Sequence, residues 1–121
     1  MPLDPRLSEL AEELFGPLGT ISVRKMFGGG GIYCDGVMFA LIADGVIYLK
    51  ADARSQADFE AEGLGPFVYQ GKAKPVAMSY WRMPERLLDD PDEALAWGRN
   101  AVRAAQTPRA AQRKTKPRGK G

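Results

Sequence analysis

The alternation of apolar and polar positions predicts a β-meander between residues 25 and 50. Two Asp-Gly pairs, Asp35-Gly36 and Asp44-Gly45, each separate two apolar runs. Asp-Gly readily adopts the positive φ angles that a type I′ hairpin turn needs. The pattern therefore predicts three antiparallel strands, at residues 31–34, 37–43 and 46–50.

The middle strand of this meander is apolar at every position from 37 to 43, whereas a half-exposed antiparallel strand alternates apolar and polar residues. Its second face must be partly covered, either by the chain itself or by another copy. We therefore expect self-association through the sheet or an edge strand, most simply as a homodimer.

A helical pattern precedes the meander. Apolar residues recur at steps of three and four from Leu7 to Leu18, which predicts an amphipathic helix. Asp4 suits its N-cap and Pro5 its first position, and Gly16-Pro17 should end it near Phe15. Alternation from residue 20 then predicts a first strand.

A shorter helix should follow the meander. Asp52 is a candidate cap, and Gly63 is a natural stop after about residue 62. Three residues of this helix are available for packing: Ala57, Phe59 and Ala61.

A second hairpin and a last helix complete the pattern. Apolar runs at 67–69 and 75–82 flank a polar loop and predict two more strands, and Asp92 is a candidate cap of the last helix. The fold class is therefore α+β, with a two-layer domain over residues 1–106. An antiparallel sheet of about six strands carries helices at the N-terminus, in the middle and at the C-terminus.

Charge divides the chain into two parts. It has 17 basic and 15 acidic residues, and every acidic residue lies before Gln106. Residues 107–121 hold six basic residues and no large apolar side chain, so we expect a disordered basic tail. With 11 basic residues left, the body has a net charge of −4, against +6 for the tail. The six are Arg109, Arg113, Lys114, Lys116, Arg118 and Lys120.

Two interpretations of this tail stay open. Six cations neutralise several phosphates and give weak, sequence-independent binding to nucleic acid, although the acidic body repels the same phosphates. A solubilising tail without a binding function is an equally ordinary chain end.

A run of glycines suggests a phosphate loop but does not match one. The run is Gly28, Gly29, Gly30 and Gly31. These glycines open a strand, so they lack the helix N-terminus of a nucleotide-binding loop, and a bulge or wide turn between the first two strands explains them. Arg24 and Lys25 beside them leave a weak anion-contact interpretation. The alternative function is accordingly a small enzyme or ligand-binding domain with a site near this loop.

The sequence gives little support for a catalytic function. The chain contains no histidine, which excludes Ser-His-Asp triads and histidine metal sites. Cys34, the single cysteine, has no histidine to act as its base and is most simply a buried apolar residue of a strand. We therefore expect a non-enzymatic protein with no catalytic residue, no metal and no cofactor.

Several aromatic residues resemble a stacking platform for single-stranded nucleic acid. They are Tyr33, Tyr48, Tyr69, Tyr80 and Trp81. Alternation along a strand buries one of any adjacent pair, so core packing explains most of them.

The N-terminus lacks the signature of a secretory signal, and the longest apolar run is too short to cross a bilayer. A single cysteine also fits a reducing compartment. We therefore expect a cytoplasmic protein that is neither exported nor membrane-spanning.

A series of short motifs in order along the chain resembles the N-terminal domain of the TfoX/Sxy family of competence regulators. The motifs are KMFGGGGIY at 25–33, DGVMFA at 35–40, YLKAD at 48–52, SYWRMPE at 79–85 and Trp97. The resemblance covers about residues 7–105 and implies a two-layer α+β domain. Its bent antiparallel sheet would carry helices on one side, as in secretion-chaperone-like folds.

The resemblance also implies a function. The best-known members regulate DNA-uptake genes and act with a cyclic-AMP-responsive transcription activator, so a protein partner of that kind is expected here. Those regulators carry a second, helical C-terminal domain. Because the basic tail begins where that domain would start, we expect a stand-alone version of the N-terminal domain.

Overall fold

The computed structural model describes residues 5–26, 29–70 and 75–106. Three helices and six strands account for most of these residues, with short 3₁₀ turns at Gly16–Leu18 and Glu85–Asp89. The helices are α1 (Pro5–Phe15), α2 (Gln56–Ala61) and α3 (Pro91–Gln106). The strands are β1 (Ile21–Met26), β2 (Gly29–Cys34), β3 (Val37–Ala43), β4 (Val46–Lys50), β5 (Pro66–Gln70) and β6 (Pro75–Arg82).

The six strands form one sheet in the order β1-β2-β3-β4-β6-β5. Every neighbouring pair is antiparallel. The predicted meander therefore makes up the first four strands, and the β5–β6 hairpin joins the sheet beside β4. The predicted α+β class, the six strands and the three helices are confirmed.

Both Asp-Gly turns have the predicted geometry. The φ angles are 51° at Asp35 and 86° at Gly36, and 51° at Asp44 and 74° at Gly45. These left-handed pairs are those of a type I′ turn, whose twist matches that of the strands on either side. The Asp35 carboxylate also accepts a hydrogen bond of 2.9 Å from the backbone N–H of Thr20, which ties the start of β1 to this turn.

A β-bulge accounts for part of the apolar run in β3. Ile32 pairs with Ala40 and Tyr33 with Met38, so Phe39 has no partner of its own in β2. The alternation of faces is interrupted there, and both Phe39 and Ala40 belong to the core. The run therefore supplies more core residues than regular alternation would allow.

The helices pack on one face of the sheet and enclose the core. Phe15 of α1 meets Phe39 edge-on, with ring centroids 5.4 Å apart. Gly98 brings α3 close to α1, since a Cβ at that position would lie 2.8 Å from the Phe15 ring. On the other side of the core, Phe59 of α2 packs against Trp97 of α3 at 5.0 Å between centroids. No helix within the described ranges is long and apolar enough to span a membrane.

Asp52 makes the hydrogen bonds of the predicted cap, and its carbonyl accepts one from the backbone N–H of Gln56 at 3.0 Å, but α2 itself begins later than this cap predicts. Asp52 accepts hydrogen bonds from the backbone N–H groups of Arg54 and Ser55, and this turn precedes a helix that begins only at Gln56. Of the three residues expected to pack, Phe59 alone is buried, whereas Ala57 and Ala61 are exposed.

The predicted cap of α3 is also displaced. The Asp90 carboxylate, not that of Asp92, accepts a hydrogen bond of 3.2 Å from the backbone N–H of Glu93. Pro91 occupies the first helical position, where its missing N–H costs nothing.

The three described glycines of the run belong to a regular strand, so no bulge lies at these three positions. Gly29, Gly30 and Gly31 pair in an unbroken register with Met26, Lys25 and Arg24. A Cβ at Gly29 would lie 1.9 Å from the carbonyl oxygen of Ile42, so the close approach of β2 to β3 requires glycine there. Gly28, Asp4 and the predicted tail at 107–121 lie outside the described residues.

Candidate interaction surface

The sheet face opposite the helices carries a row of residues that crosses five strands. Side chains of directly paired residues project from the same face of a sheet. The strand registers pair Arg24 with Gly31, Gly31 with Leu41, Leu41 with Tyr48, and Tyr48 with Arg82. This cross-sheet row therefore has an arginine at each end. Four strand spacings make it roughly 19 Å long.

A second group of residues lies beside this row on the same face. Tyr33 pairs with Met38, and Lys50 pairs with Tyr80. The Tyr80 hydroxyl donates a long hydrogen bond, 3.4 Å, to the Met38 carbonyl, which links β6 to β3 across β4. The six aromatic and basic residues of the two groups define what we call the tyrosine face: Arg24, Tyr33, Tyr48, Lys50, Tyr80 and Arg82.

Cations and rings alternate on the tyrosine face. The Arg24 guanidinium carbon lies 4.9 Å from the centroid of the Tyr33 ring. The Lys50 ammonium lies 5.1 Å from the Tyr80 ring and donates a hydrogen bond of 2.6 Å to the Ser79 hydroxyl. The two distances from cation to ring centroid are within the range of attractive cation–π contacts, so Arg24 and Lys50 are held beside the rings.

The remaining tyrosine of this face has an aromatic neighbour. Tyr48 meets Phe67 of β5 with ring centroids 5.0 Å apart. All three tyrosines are half-buried, while Arg24 and Arg82 are exposed. Burial, and secondarily the nearby Tyr33, raises the pKa of Tyr80. Tyr80 is therefore a neutral hydrogen-bonding group and not a base at neutral pH.

Charge is segregated between the layers. The six described strands contain four basic residues and no acidic one. The three described helices contain seven acidic and three basic residues. Three of the four strand cations, Arg24, Lys50 and Arg82, lie on the tyrosine face, which is thus an electropositive surface on an otherwise acidic domain.

The expectation that core packing explains most of the aromatic residues is right for Trp81. It is 8% exposed and packs against Phe59 at 6.0 Å between ring centroids. Tyr33, Tyr48 and Tyr80 instead lie on the opposite face. Alternation from Trp81 would have placed Tyr80 there, but the position of Tyr33 depends on a register that is known only from the fold.

The two candidate anion contacts, Arg24 and Lys25, are not brought together. They are adjacent in β1 and therefore project from opposite faces, with Arg24 alone on the tyrosine face. The six tail cations lie outside the described residues. Arg82 and Lys50 were not among the expected contact residues, although their strand positions were predicted.

Cys34 is buried, as expected, at 4% exposure. Burial, together with the neighbouring Asp35 carboxylate, raises the pKa of its thiol. A thiol with a raised pKa is a poor nucleophile at neutral pH.

The described surface also has depressions, one of which includes Arg82 of the tyrosine face in its lining. The larger, about 310 Å³, lies between the turn at Gly16–Leu18 and the end of α3, and the smaller, about 50 Å³, lies beside the turn at Asp44 and Gly45. Cysteine, serine and threonine are absent from the linings of both. Within the described ranges, no three His, Cys, Asp or Glu residues are grouped to hold a metal ion.

This architecture defines an α+β domain in which a six-stranded antiparallel sheet carries helices on one face. The sequence model of the TfoX N-terminal domain matches residues 13–105, and the chain belongs to that family. The expected resemblance is thereby confirmed.

Two curated relatives agree with this assignment. DNA transformation protein TfoX1 of Aliivibrio fischeri is 30% identical over 93 residues, which cover 74% of this chain and 44% of the relative. Protein Sxy of Escherichia coli is 30% identical over 77 residues, which cover 64% of this chain and 37% of the relative. The chain thus matches less than half the length of each.

Proposed function

We propose that this chain is a regulatory domain that acts by binding another macromolecule through the tyrosine face and that catalyses no reaction. The observation that carries the proposal is the composition of that face. Tyrosine and arginine, together with tryptophan, are enriched at energetically dominant contact positions. Here tyrosines and arginines lie together on a sheet whose described strands contain no carboxylate, in a domain whose helices are acidic.

The chemistry of the described residues supports binding over catalysis. The chain has no histidine, and the thiol of its one cysteine is buried with a raised pKa. A Cβ at Gly29 would lie 1.9 Å from the Ile42 carbonyl oxygen, so close strand packing accounts for the glycine at this position without a ligand.

The proposed setting is the control of DNA uptake. It is supported by family membership and by the relative named a DNA transformation protein. We extend the proposal to a transcription activator as the protein partner, to a cytoplasmic location and to auxiliary nucleic-acid contact by the basic tail.

Transformation frequency in the organism that encodes this chain tests the proposal. The gene for this chain is deleted, and the deletion strain is complemented in turn with three genes. They encode the wild type, Arg24→Ser/Arg82→Ser, and the matched control Arg54→Ser/Arg99→Ser. All four arginines are exposed, so neither pair of changes should disturb the core. The deletion and the first double variant should lower the frequency, while the control should restore it.

Two results would contradict the proposal at different points. An unchanged frequency after deletion would remove the DNA-uptake setting. Full restoration by Arg24→Ser/Arg82→Ser would show that the tyrosine face is not the contact surface. Thermal melting of each purified variant checks that the fold is intact.

A further inference from the structure

We infer that the tyrosine face binds single-stranded nucleic acid, with bases stacked on its rings and phosphates held by its arginines. The inference rests on the proposed function in one respect: the tyrosine face is the contact surface. It adds the chemical class of the bound molecule.

The cross-sheet row supplies a track for a strand. Arg24 and Arg82 stand at its two ends, with Gly31, Leu41 and Tyr48 between them. Leu41 is only 7% exposed and Gly31 is buried, so the accessible part of the row consists of Tyr48 and the two arginines. A track of roughly 19 Å exceeds a single base and suits the two or three stacked bases that open sheet faces carry in RNA-binding domains.

The second group of residues supplies stacking surfaces and counter-charges together. Arg24 lies over Tyr33, and Lys50 lies beside Tyr80. A guanidinium plane on a ring is itself a stacking surface for a base, and its N–H groups reach phosphate oxygens. Half-buried rings lose little conformational freedom when a base stacks on them.

Charge complementarity favours a polyanion over a protein surface of mixed charge. The face presents Arg24, Lys50 and Arg82 with no carboxylate in the described strands, and the acidic residues that the structure describes lie in helices, turns and loops. Single strands are favoured over a duplex because stacking needs exposed base faces, which a duplex keeps inside its own stack.

Fluorescence anisotropy with the full chain tests the inference. The probes are a labelled oligothymidylate and the same strand in duplex with oligodeoxyadenylate, at about physiological ionic strength. We expect tighter binding of the single strand. The basic tail is present in every sample, so its contribution cancels when variants are compared on one probe.

Ring and charge variants separate stacking from electrostatics. Tyr48→Leu removes the ring and should weaken single-strand binding by about tenfold, as expected for the loss of one stacked base. Tyr48→Phe keeps the ring and is the matched control, with affinity near that of the wild type. Arg24→Ser/Arg82→Ser should reduce the slope of log affinity against log salt by about 1.4, whereas Arg54→Ser/Arg99→Ser should leave the slope unchanged.

Equal affinity for single strand and duplex would overturn the inference, as would unchanged binding by a folded Tyr48→Leu. If Tyr48→Leu fails to fold, two other measurements still test the inference. They are the preference of the wild type for single strand over duplex and the salt slopes of the arginine variants. An absence of binding, combined with a transformation defect in Arg24→Ser/Arg82→Ser, would leave the proposed function standing and make a protein the bound partner.

Discussion

Gly29 shows how one residue without a side chain sets the spacing of two strands. Its position leaves a hypothetical Cβ 1.9 Å from the Ile42 carbonyl oxygen. That neighbour is backbone in the middle of the sheet, so it cannot swing aside as a flexible side chain would. The requirement at this residue is therefore steric and does not depend on a positive φ.

We predict that Gly29→Ala lowers the free energy of unfolding by about 1–3 kcal/mol or more, because overpacking here must displace a strand. Gly16→Ala is the matched control, since no atom outside its immediate neighbours lies within 4 Å of its Cβ position. Urea denaturation of both variants measures the difference. Equal stability of the two would show that β2 and β3 separate more easily than their packing indicates.

At the scale of elements, Arg86 joins three segments that are distant in sequence. Arg86 lies in the turn at Glu85–Asp89. Its guanidinium forms an ion pair of 2.6 Å with Glu62, the residue that follows α2, and a second ion pair with Glu93 in α3. The Trp97 indole N–H donates a hydrogen bond of 3.2 Å to the other oxygen of Glu93. The hydrogen bond from Arg86, and then that from Trp97, lowers the pKa of Glu93.

This lowered pKa predicts a pH-dependent contribution to stability. A carboxylate whose pKa is lower in the folded state stabilises the fold above its ordinary pKa of 4.5, and this contribution is lost as the pH falls through the folded value. Glu93→Gln keeps an acceptor for Trp97 but removes the charge. The wild type should therefore melt slightly above Glu93→Gln at pH 7, by the small margin of an exposed ion pair.

Melting curves recorded from pH 7 down to about pH 3, below the ordinary carboxylate range, should show the two proteins converging. Other carboxylates with lowered pKa, such as Asp52, are common to both proteins and cancel in the difference. A margin that stays constant across the series would mean that the Arg86 link contributes no charge-dependent stability.

The elements differ in how far the sequence alone predicts them. The Asp-Gly turns are local, because their geometry depends on two residues, and they were predicted correctly. The bulge at Phe39 depends on the pairing of β2 with β3, which no local pattern encodes. The cap of α3 was misplaced because both Asp90 and Asp92 are good caps, and only the position of Pro91 between them distinguishes the two.

The candidate surface was harder to predict than the fold. Tyr33 and Tyr80 are far apart in sequence, and they approach each other only because β6 inserts beside β4. An aromatic residue in a strand suits the core and an open face equally well. The strand order that assigns each residue to a face results from long-range pairing.

At the scale of the whole molecule, self-association stays a prediction. Leu41 is 7% exposed in a single chain, so the chain itself covers part of the second face of β3. β1 and β5 are the edge strands of the sheet, and an edge strand is a place where another copy can pair. Sedimentation at about tens of micromolar, a working range for weak interfaces, should show a dimer, and a monomer there would contradict the prediction.

Truncation after Gln106 tests the predicted tail. Six cations that neutralise about four to six phosphates should give a slope of log affinity against log salt near −4 to −5 on duplex DNA. Truncation should abolish duplex binding, while the melting temperature stays nearly unchanged because the removed segment has no large apolar side chain to bury. If the full chain does not bind duplex DNA even at about 50 mM salt, the tail is a solvated end.

The segregation of charge between sheet and helices also gives the described domain an electric dipole moment. Its positive end is the tyrosine face, and its negative end lies toward the acidic helices. In the electric field of a polyanion the domain experiences a torque, which turns the tyrosine face toward the polyanion before any contact forms. Added salt should therefore slow association as well as weaken affinity, since it screens the field that orients the approaching molecule.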